Sequence, residues 1–493
     1  MTSFGSSFHA VVIIGAGISG LALTWRLERL GIRPLVLDGT PRVGETWRRR
    51  HEQLRLNTHR HFSQLPGLAL PREAGPFASR DAVIRYLEAY IRKFRSPIRF
   101  GISVAGIERL DDGWRLQTTQ GEVLACHVVV ATGRERIPVV PRWPGLSKFT
   151  GRLIHAADFG DVENYRDRSI LVVGGGNSSI DVLNHLVRMR TGQLWLSVRT
   201  GTTIVPTWLL GIPVQRLSGV MSWFPPRLVD HLLTMTEHVA FGDLRSFGLP
   251  GSSVGAATRL AQEGVAPAVD DGFIAALKSG QIAVVPAVAS FEHENVVLSD
   301  KRRLQPDVVI AATGYSPGLE NLVGHLDVLD ARGIPRFQGA EADAAHPGLW
   351  FLGMRPQLFG NFHAARRDSG PLARKIARAI DGGQAVRTAV RKGDSPSGQS
   401  AVVASCTGID GDPPAGSRNR HTRLEARLLA GPRGTQDKLG AEAISDGGDN
   451  RQPYPAATGA CAGAFEAVGQ AGQCLRRHDW PVVGDDQVSI RRE

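Results

Sequence analysis

The sequence has little cysteine and no long apolar run. Only four of its 493 residues are cysteine, and Cys126, Cys406, Cys461 and Cys474 form no C-x-x-C pair. We therefore expect neither a redox dithiol nor a zinc knuckle, and such sparse cysteine is typical of a reducing cytoplasm. Because no stretch of about twenty uncharged apolar residues is present, and residues 1–9 do not resemble a signal peptide, we predict no membrane span and a cytoplasmic location.

The charge is strongly positive but is not arranged for nucleic-acid binding. Lys and Arg number 58 against 47 Asp and Glu, a formal net charge of +11. Acidic and basic residues balance after Ile380, so the whole excess lies in residues 1–380. This excess favours anionic cofactors and leaves peripheral contact with an acidic membrane open. No arginine-rich run is interleaved with aromatic residues, so we expect no nucleic-acid partner.

The chain also lacks an obvious acid–base or metal-binding constellation. The histidines of the HRH segment, His59 and His61, suggest a metal at first sight. Alternating histidines in a basic loop are more often solvated or in contact with phosphate. We therefore predict no metal site.

The opening segment, residues 11–20, reads VVIIGAGISG and predicts a strand, a glycine turn and a helix. Gly15, Gly17 and Gly20 have the G-x-G-x-x-G spacing that places backbone N–H groups and a helix N-terminus against a pyrophosphate. Asp38 ends the next strand, LVLD, where a carboxylate binds a ribose 2′-hydroxyl. This favours FAD over a dinucleotide with a 2′-phosphate. The alternative is an ordinary tight turn between a strand and a helix.

A second turn of the same type lies in residues 169–181, read SILVVGGGNSSID. Gly174 and Gly176 take the first two glycine positions, and Ser179 is a small residue at the third. The contact candidates at this turn are Gly174, Gly176, Asn177, Ser178 and Ser179.

The strand after this second turn, LWLSVRT, is followed by a guanidinium and a hydroxyl instead of an acid. Arg199 and Thr200 there are suited to bind a 2′-phosphate through charge-assisted hydrogen bonds. The alternative for Arg199 is a solvated charge at a strand end. We predict FAD at the first turn and NADPH at the second.

Two buried strands end in the same Ala-Thr-Gly sequence. Thr132 and Gly133 follow the strand HVVV, and Thr313 and Gly314 follow DVVIA. Glycine at a strand end lets the backbone turn near a cofactor, so these four residues are cofactor-binding candidates at the junctions between domains.

The remaining segments are predicted from periodicity and composition. Residues 43–67, which include Trp47 as a cofactor-binding candidate, have no clean period and should cross a surface or line a site. Apolar spacing after a polar start predicts a helix over 79–94. The aromatic and proline-rich residues 206–250 indicate either helical packing or the wall of a substrate tunnel or membrane-facing patch. A final helix is expected from Ser369 to about Ile380.

Taken in order, the motifs resemble the flavin-containing monooxygenase family, in particular its bacterial members and the plant YUCCA-type enzymes. The family pattern F-x-G-x-x-x-H-x-x-x-(Y/F) is present as Phe149, Gly151, His155 and Phe159 in FTGRLIHAADF. Baeyer–Villiger relatives carry tryptophan at the position of Phe159, so phenylalanine favours the heteroatom-oxidising or YUCCA-like branch. Gly160 departs from the family, which usually has a basic residue there.

The resemblance covers about residues 9–380 and implies an α/β fold of two Rossmann-like dinucleotide-binding domains. An NADPH domain (151–305, with an irregular helical insert at 206–250) interrupts an FAD domain (1–150 and 306–380). Residues 381–493, rich in Gly, Pro, Ser, Arg and Asp without period, are expected to form a disordered tail. A read-through extension is the alternative for this tail.

The resemblance also implies a reaction in which NADPH reduces FAD, O₂ forms a C4a-hydroperoxyflavin, and one oxygen atom passes to a small organic substrate. Asn57 would be catalytic, since several family members place an asparagine near the reactive edge of the flavin; the alternative is a turn asparagine. Competing functions are a Baeyer–Villiger monooxygenase, a non-oxygenating NADPH-dependent flavin reductase and a non-enzymatic flavin-binding scaffold.

Overall fold

A computed structural model describes residues 8–393, except 202, 210, 211, 215–223, 253, 358 and 359. These residues belong to one compact unit, Met1–Asp412. The elements of its first part are β1 (Phe8–Ile14), α1 (Ile18–Glu28), β2 (Leu35–Asp38), α2 (Glu45–Arg48), α3 (Arg80–Ile91), β3 (Ile98–Phe100), β4 (Val104–Leu110), β5 (Gly113–Thr118), β6 (Gly121–Val130) and β7 (Ile137–Pro138). A second series follows as β8 (Arg152–His155), β9 (Ile170–Val173), α4 (Asn177–Leu186), β10 (Leu194–Ser197), β11 (Ile204–Pro206), β12 (Trp208–Leu209), β13 (Ile212–Pro213), α5 (Pro226–Phe241), α6 (Ala256–Glu263) and β14 (Ala268–Asp270). The last elements are α7 (Phe273–Lys278), β15 (Ile282–Val285), β16 (Val288–Phe291), β17 (Val296–Leu298), β18 (Arg303–Leu304), β19 (Val308–Ala311), β20 (Tyr315–Ser316), α8 (Glu320–Val323), β21 (Leu349–Phe351) and α9 (Asn361–Gly393).

The first sheet has the order β3-β2-β1-β6-β5-β4, with β21 paired to β6. Strand β1 is buried on both faces, which explains its continuous apolar run. Val11 and Ile13 pack in a cluster with residues of α1, α3 and α9, whereas Val12 and Ile14 pack with residues of β5 and α8. Strands β1, β2, β6 and β21 are parallel, so their carboxyl ends lie at one edge of the sheet.

The second sheet repeats this arrangement in the order β15-β10-β9-β19-β8. All its strands pair in parallel, and α4 and α7 contribute to its core. This confirms the α/β fold with two Rossmann-like units. Strand β19, which follows the predicted boundary between 305 and 306, pairs with β9 and β8. The second sheet therefore includes residues up to Ala311, and the domain bounds stay a prediction.

Helix α3 holds the preceding irregular segment in place. Its N-cap is Ser79, whose hydroxyl accepts a hydrogen bond from the Ala82 amide at 3.3 Å, so the predicted helix is confirmed. The Tyr86 hydroxyl accepts from the Leu65 amide at 2.6 Å, and the Tyr90 hydroxyl donates to the Pro66 carbonyl at 2.6 Å. These bonds satisfy backbone groups of an irregular segment that has no ladder partners of its own.

The segment between β10 and β15 forms a helical insert beside the second sheet. Asp230 on α5 accepts hydrogen bonds from the Ala257 amide at 2.6 Å and the Thr258 amide at 3.2 Å. The carboxylate therefore satisfies two free N–H groups at the start of α6. The irregular residues predicted at 206–250 include helix α5, and part of that range, 215–223, lies outside the described residues.

Helix α9 is longer than the sequence suggested. It begins at Asn361 and continues to Gly393, so it contains Pro371 in its interior. The prediction used proline as a first-turn residue and so set the start eight residues too late; its end at about Ile380 is also corrected. The part of the expected tail from 394 to 493 lies outside the described residues. Among the residues that the structure describes, no helix is long and apolar enough to cross a membrane.

Candidate functional site

The first glycine turn is shaped by three glycines with different tasks. Gly15 has φ +110°, and a Cβ there would lie 2.6 Å from the Ala131 carbonyl oxygen. A Cβ at Gly20 would overlap the Gly15 carbonyl oxygen, so this glycine lets helix α1 approach the strand. A Cβ at Gly17 would meet no atom of the described residues within 4 Å. The protein itself therefore leaves room at Gly17, which is what a phosphate approaching the N-terminus of α1 requires.

Asp38 lies beside this turn and shapes it directly. Its Oδ2 accepts a hydrogen bond from the Ala16 amide at 2.6 Å. Its Oδ1 accepts from the Thr40 amide at 2.8 Å and from the Thr40 hydroxyl at 2.5 Å. These bonds orient the carboxylate and leave acceptor capacity on Oδ2, since an ionised carboxylate offers about four lone-pair sites.

The second turn repeats the first in detail. Gly174 has φ +134°, and a Cβ there would overlap the Ala312 carbonyl oxygen. A Cβ at Gly176 would meet no atom within 4 Å, as at Gly17. Ser179, in place of the third glycine, is fully buried, and its hydroxyl donates to the Gly176 carbonyl at 2.6 Å. The serine therefore fits because its hydroxyl finds a partner at the start of α4.

The alanine of each Ala-Thr-Gly sequence lies against the first glycine of one turn. Ala131 lies against Gly15, and Ala312 lies against Gly174. Beyond them the chain forms β7 and β20, which pair with each other in antiparallel fashion. Both sheets thus direct their carboxyl ends, and both glycine turns, toward this pair of linkers. The Thr313 hydroxyl donates to the Val139 carbonyl in the opposite linker. The Thr132 hydroxyl is buried and, within the described part of the chain, has no hydrogen-bond partner, which fits an additional polar group at the first turn.

The residues predicted to bind a 2′-phosphate lie on the surface just after β10. Arg199 and Thr200 are exposed, and among the described residues no carboxylate forms an ion pair with Arg199. A second arginine, which sequence reasoning missed, lies beside them. Arg259 of α6 donates to the Gly201 carbonyl and, at 3.3 Å, to the Thr200 hydroxyl. It also pairs with Glu263 at 2.9 Å. The segment ATRLAQE carries no signal for this role.

The segment 43–67 lies at the carboxyl edge of the first sheet. The ring of Trp47 lies 6.0 Å from that of Phe362 at the start of α9. A Cβ at Gly360 would contact the Thr58 side chain at 2.6 Å, so the loop packs against the residues that precede α9. Asn57, next to Thr58, is exposed. The predicted catalytic residue therefore faces outward from the loop at this edge.

The helical insert reaches across to the first domain. The ring of Trp208 lies 5.7 Å from that of Phe77 in an edge-to-face arrangement. The Arg332 guanidinium donates to the Gln262 carbonyl at 2.6 Å. The first contact joins the insert to the segment before α3, and the second joins it to the segment between α8 and β21.

The residues of the family pattern F-x-G-x-x-x-H-x-x-x-(Y/F) make structural contacts in this chain. A Cβ at Gly151 would clash with the Phe149 ring, and that ring packs against Phe291 at 5.0 Å. The Nδ1 of His155 accepts from the Ala157 amide at 3.0 Å, while its Nε2 lies 3.1 Å from the Gly314 carbonyl. The imidazole therefore carries its proton on Nε2, and burial lowers the pKa of His155. His155, the last residue of β8, therefore connects this strand to the linker that follows β19.

The loop after α2 contacts both the linkers and the second domain. Arg50 donates to the Tyr315 hydroxyl, and its guanidinium lies over the Tyr315 ring at 5.0 Å. The next residue, His51, reaches the opposite way, with Nε2 3.3 Å from an Asp181 carboxylate oxygen. Asp181 belongs to α4, which begins at the second glycine turn. Of these two adjacent side chains, Arg50 therefore holds the loop to the linker that contains β20, and His51 joins it to the second domain.

Comparison with known proteins extends these observations. A family model described as pyridine nucleotide-disulphide oxidoreductase matches residues 12–203. The indole-3-pyruvate monooxygenase YUCCA1 of Oryza sativa subsp. japonica is 32% identical over 348 residues, which cover 69% of this chain and 86% of the relative. The probable indole-3-pyruvate monooxygenase YUCCA9 of Arabidopsis thaliana is 31% identical over 355 residues, covering 69% and 83%.

Solved structures share the fold. A mutant of the flavin monooxygenase from Stenotrophomonas maltophilia is 22% identical, with a TM-score of 0.60, over 76% of this chain and 99% of that one. A cyclohexanone monooxygenase bound to epsilon-caprolactone is 17% identical, with a TM-score of 0.59, over 76% and 88%. The motifs, the doubled nucleotide turn and the similarity along most of each relative lead to one conclusion. The chain belongs to the flavin-containing monooxygenase family, whose members are oxidoreductases that use FAD and NADPH.

Proposed function

We propose that the protein transfers one oxygen atom from O₂ to a small organic substrate, with FAD at the first glycine turn and NADPH at the second. The observation that carries this proposal is the pair of open positions at Gly17 and Gly176, each at a helix N-terminus. Both turns open toward the paired linkers β7 and β20. Two dinucleotides bound there would meet at the junction between the sheets.

The first turn supplies groups suited to FAD. Backbone N–H groups at the start of α1 would bind the pyrophosphate, and Gly15 and Gly20 shape the turn that presents them. Asp38 would accept from a ribose hydroxyl through the free capacity of Oδ2. Thr132 has a hydroxyl in need of a partner. The candidate contacts there are Gly15, Gly17, Gly20, Asp38, Trp47, Thr132, Gly133, Thr313 and Gly314.

The second turn supplies groups suited to NADPH. Its N–H groups at the start of α4 would bind the pyrophosphate, while Arg199 and Thr200 would bind the 2′-phosphate. Arg259 adds positive charge next to Thr200 and orients its hydroxyl. The candidate contacts there are Gly174, Gly176, Asn177, Ser178, Ser179, Arg199, Thr200 and Arg259.

Bound FAD and NADPH supply the electron transfer and the oxygen chemistry. The chain has to hold the two cofactors in the correct orientation to each other and keep water away from the junction between the two sheets. The contact of Trp208 with Phe77 and the bond of Arg332 to Gln262 support a role of the insert in this exclusion of water. This division of labour explains why no acid–base constellation stands out in the sequence.

For the substrate class we propose a 2-oxo acid or a compound with an oxidisable nitrogen or sulfur. The relatives with 31–32% identity are named for indole-3-pyruvate, a 2-oxo acid. Phe159 packs its ring against Tyr165 at 4.8 Å, with a tilt of 15°. A phenylalanine at this motif position favours the heteroatom-oxidising or YUCCA-like branch, since the Baeyer–Villiger enzymes carry tryptophan there. The alternative is a Baeyer–Villiger monooxygenase that oxidises ketones. The experiment below includes cyclohexanone as a substrate, because a cyclohexanone monooxygenase shares the fold.

The decisive experiment is a substrate screen on the flavin-loaded full chain. NADPH oxidation, oxygenated product and hydrogen peroxide are measured together with indole-3-pyruvate, a thioether, a tertiary amine, cyclohexanone or no substrate. We expect product to account for most of the NADPH with one of the first three compounds. Ester formation from cyclohexanone would instead assign a Baeyer–Villiger enzyme. NADPH oxidation without any oxygenated product would support the reductase.

Asn57 is proposed to be catalytic through its side-chain amide, which would donate a hydrogen bond at the reactive edge of the flavin. Replacing Asn57 by aspartate keeps its shape but removes the amide donor. Since one oriented donor contributes about 10²-fold in comparable sites, we expect a fall in oxygenated product per NADPH of at least about tenfold. Hydrogen peroxide should rise in proportion.

The control for Asn57→Asp is flavin content, which should equal that of the unaltered chain. If product yield and peroxide both stayed unchanged, Asn57 would be an ordinary loop residue at the sheet edge. A parallel loss of bound flavin would place Asn57 in cofactor binding instead.

A further inference from the structure

Three potential metal ligands meet where the first domain touches α4. His51 comes from the loop after α2, and Asp181 and His185 come from α4. The Nε2 of His51 lies 3.3 Å from Asp181 Oδ2, and the Nε2 of His185 lies 3.9 Å from Asp181 Oδ1. The side chain of His51 is 5% exposed, that of His185 14% and that of Asp181 33%. The group is thus largely enclosed but open on the carboxylate side.

The sequence explains why these side chains converge. Asp181 and His185 are four residues apart on one helix, so they lie on the same face. Helix α4 has a fixed start at Gly176, where the second glycine turn holds it against β9. On the other side, the ring of Phe159 packs edge-to-face against His51 at 5.4 Å. The position of each ligand is therefore set by the fold around it.

Hydrogen bonding alone does not account for this arrangement. The contact between His51 and Asp181 is longer than a good charge-assisted hydrogen bond, and the separation of His185 and Asp181 exceeds hydrogen-bond range. The Nδ1 of His51 is buried and has no hydrogen-bond partner among the residues that the structure describes. The imidazole rings of His51 and His185 lie 4.9 Å apart. One long hydrogen bond therefore joins His51 to Asp181, and His185 lies too far from Asp181 to form a second.

We propose that His51, Asp181 and His185 form a binding site for a divalent transition-metal ion of the zinc class. A tetrahedral ion with bonds of about 2.05 Å separates neighbouring ligand atoms by about 3.3 Å. The His51–Asp181 distance has this value, and all three ligand atoms lie within 4.8 Å of one another. Two imidazoles with one carboxylate suit zinc, cobalt or nickel rather than magnesium or calcium. The bound ion would tie the first domain to the helix of the second glycine turn.

The test is calorimetric titration of the flavin-loaded, untagged full chain with zinc chloride. We expect one zinc ion per chain. Asp181→Asn and His185→Ala should each weaken binding at least about tenfold, because each removes or disables a direct ligand. Zinc should also raise the melting temperature of the unaltered chain and not that of His185→Ala. An excess of magnesium should not displace the zinc.

His61→Ala is the matched control, because His61 belongs to the other histidine pair, in which it stacks on His59 at 5.0 Å. Its zinc affinity should equal that of the unaltered chain. Equal affinity of His185→Ala and the unaltered chain would overturn the proposal, and so would a failure of the unaltered chain to bind zinc at about 10 µM, the weak end of calcium-sensor affinities. Copper bound in place of zinc should show nitrogen hyperfine splitting in electron paramagnetic resonance, and its absence would argue against imidazole ligands.

The metal site and the monooxygenase function are separable in these experiments. None of the three ligands is among the proposed cofactor contacts, and zinc affinity is measured without turnover. If the chain binds zinc but oxygenates no substrate, the metal site stands and the proposed function fails. If the chain oxygenates a substrate but does not bind zinc, the proposed function stands and the metal site fails.

Discussion

Replacing Gly17 by valine should give a folded protein that is colourless on purification. The backbone at Gly17 has φ −80° and ψ −175°, a β-region conformation that valine adopts readily. No atom of the described residues lies within 4 Å of the added Cβ, so the substitution should not disturb the fold. The side chain would instead fill the space proposed for the pyrophosphate.

The expected loss of affinity is large because steric and polar effects add. Overfilling a well-packed site costs about 1–3 kcal/mol, and each lost hydrogen bond to a charged group costs about 1.5–3 kcal/mol. A total of about 3 kcal/mol or more corresponds to at least about a hundredfold weaker binding. Flavin content is read from the ratio of absorbance near 450 and 280 nm, a flavin and a protein band, and the fold from the melting temperature.

The chain offers its own matched control in Gly176→Val. Gly176 has φ −94° and ψ −175°, again with no atom within 4 Å of an added Cβ. This variant should remain yellow and lose reduction by NADPH. If Gly17→Val were as yellow as the unaltered chain and Gly176→Val colourless, the two cofactors would have to exchange places. If both kept full flavin and full NADPH reduction, neither turn would be a nucleotide site.

The sequence predicted the strand, glycine turn and helix start at both turns because each is a local structure. Strand, glycine spacing and helix start lie within about ten residues, so the backbone requirements are visible in the residue types themselves. Ser179 illustrates the limit of the rule: the sequence explained it as a small residue, whereas the structure shows a hydroxyl that bonds the Gly176 carbonyl. Serine at position 179 therefore forms a hydrogen bond that the glycine of the motif could not form.

Features formed between distant segments were not predicted. Arg259 and Thr200 are 59 positions apart, and His51 and Asp181 are 130 apart. No periodicity connects such pairs, because their approach depends on how the insert and the linkers pack. The Ala-Thr-Gly repeats lie between these cases. Their recurrence indicated a junction, but only strand pairing revealed that Ala131 and Ala312 cover the first glycine of each turn.

Replacing Arg199 by alanine should raise the Michaelis constant for NADPH about 10- to 100-fold and leave that for NADH nearly unchanged. Arg199 is exposed and, among the described residues, has no ion pair to lose. The side chain is therefore free to bind a dianionic 2′-phosphate, and one charge-assisted hydrogen bond of about 1.5–3 kcal/mol accounts for the predicted factor. NADH has no phosphate at this position, so its binding provides the internal reference.

Arg259 and Arg190 extend this experiment. Arg259 already donates to the Gly201 carbonyl and pairs with Glu263, so Arg259→Ala should discriminate against NADPH less strongly than Arg199→Ala. Arg190 pairs with Asp167 at 2.5 Å beyond the other end of α4, and Arg190→Ala should leave both constants unchanged. The ratio of the two Michaelis constants, measured by steady-state kinetics, separates these cases. A uniform rise for NADPH and NADH in Arg199→Ala would mean that the guanidinium supports the fold of this corner, and the assignment of the second turn to NADPH would then lose its phosphate contact.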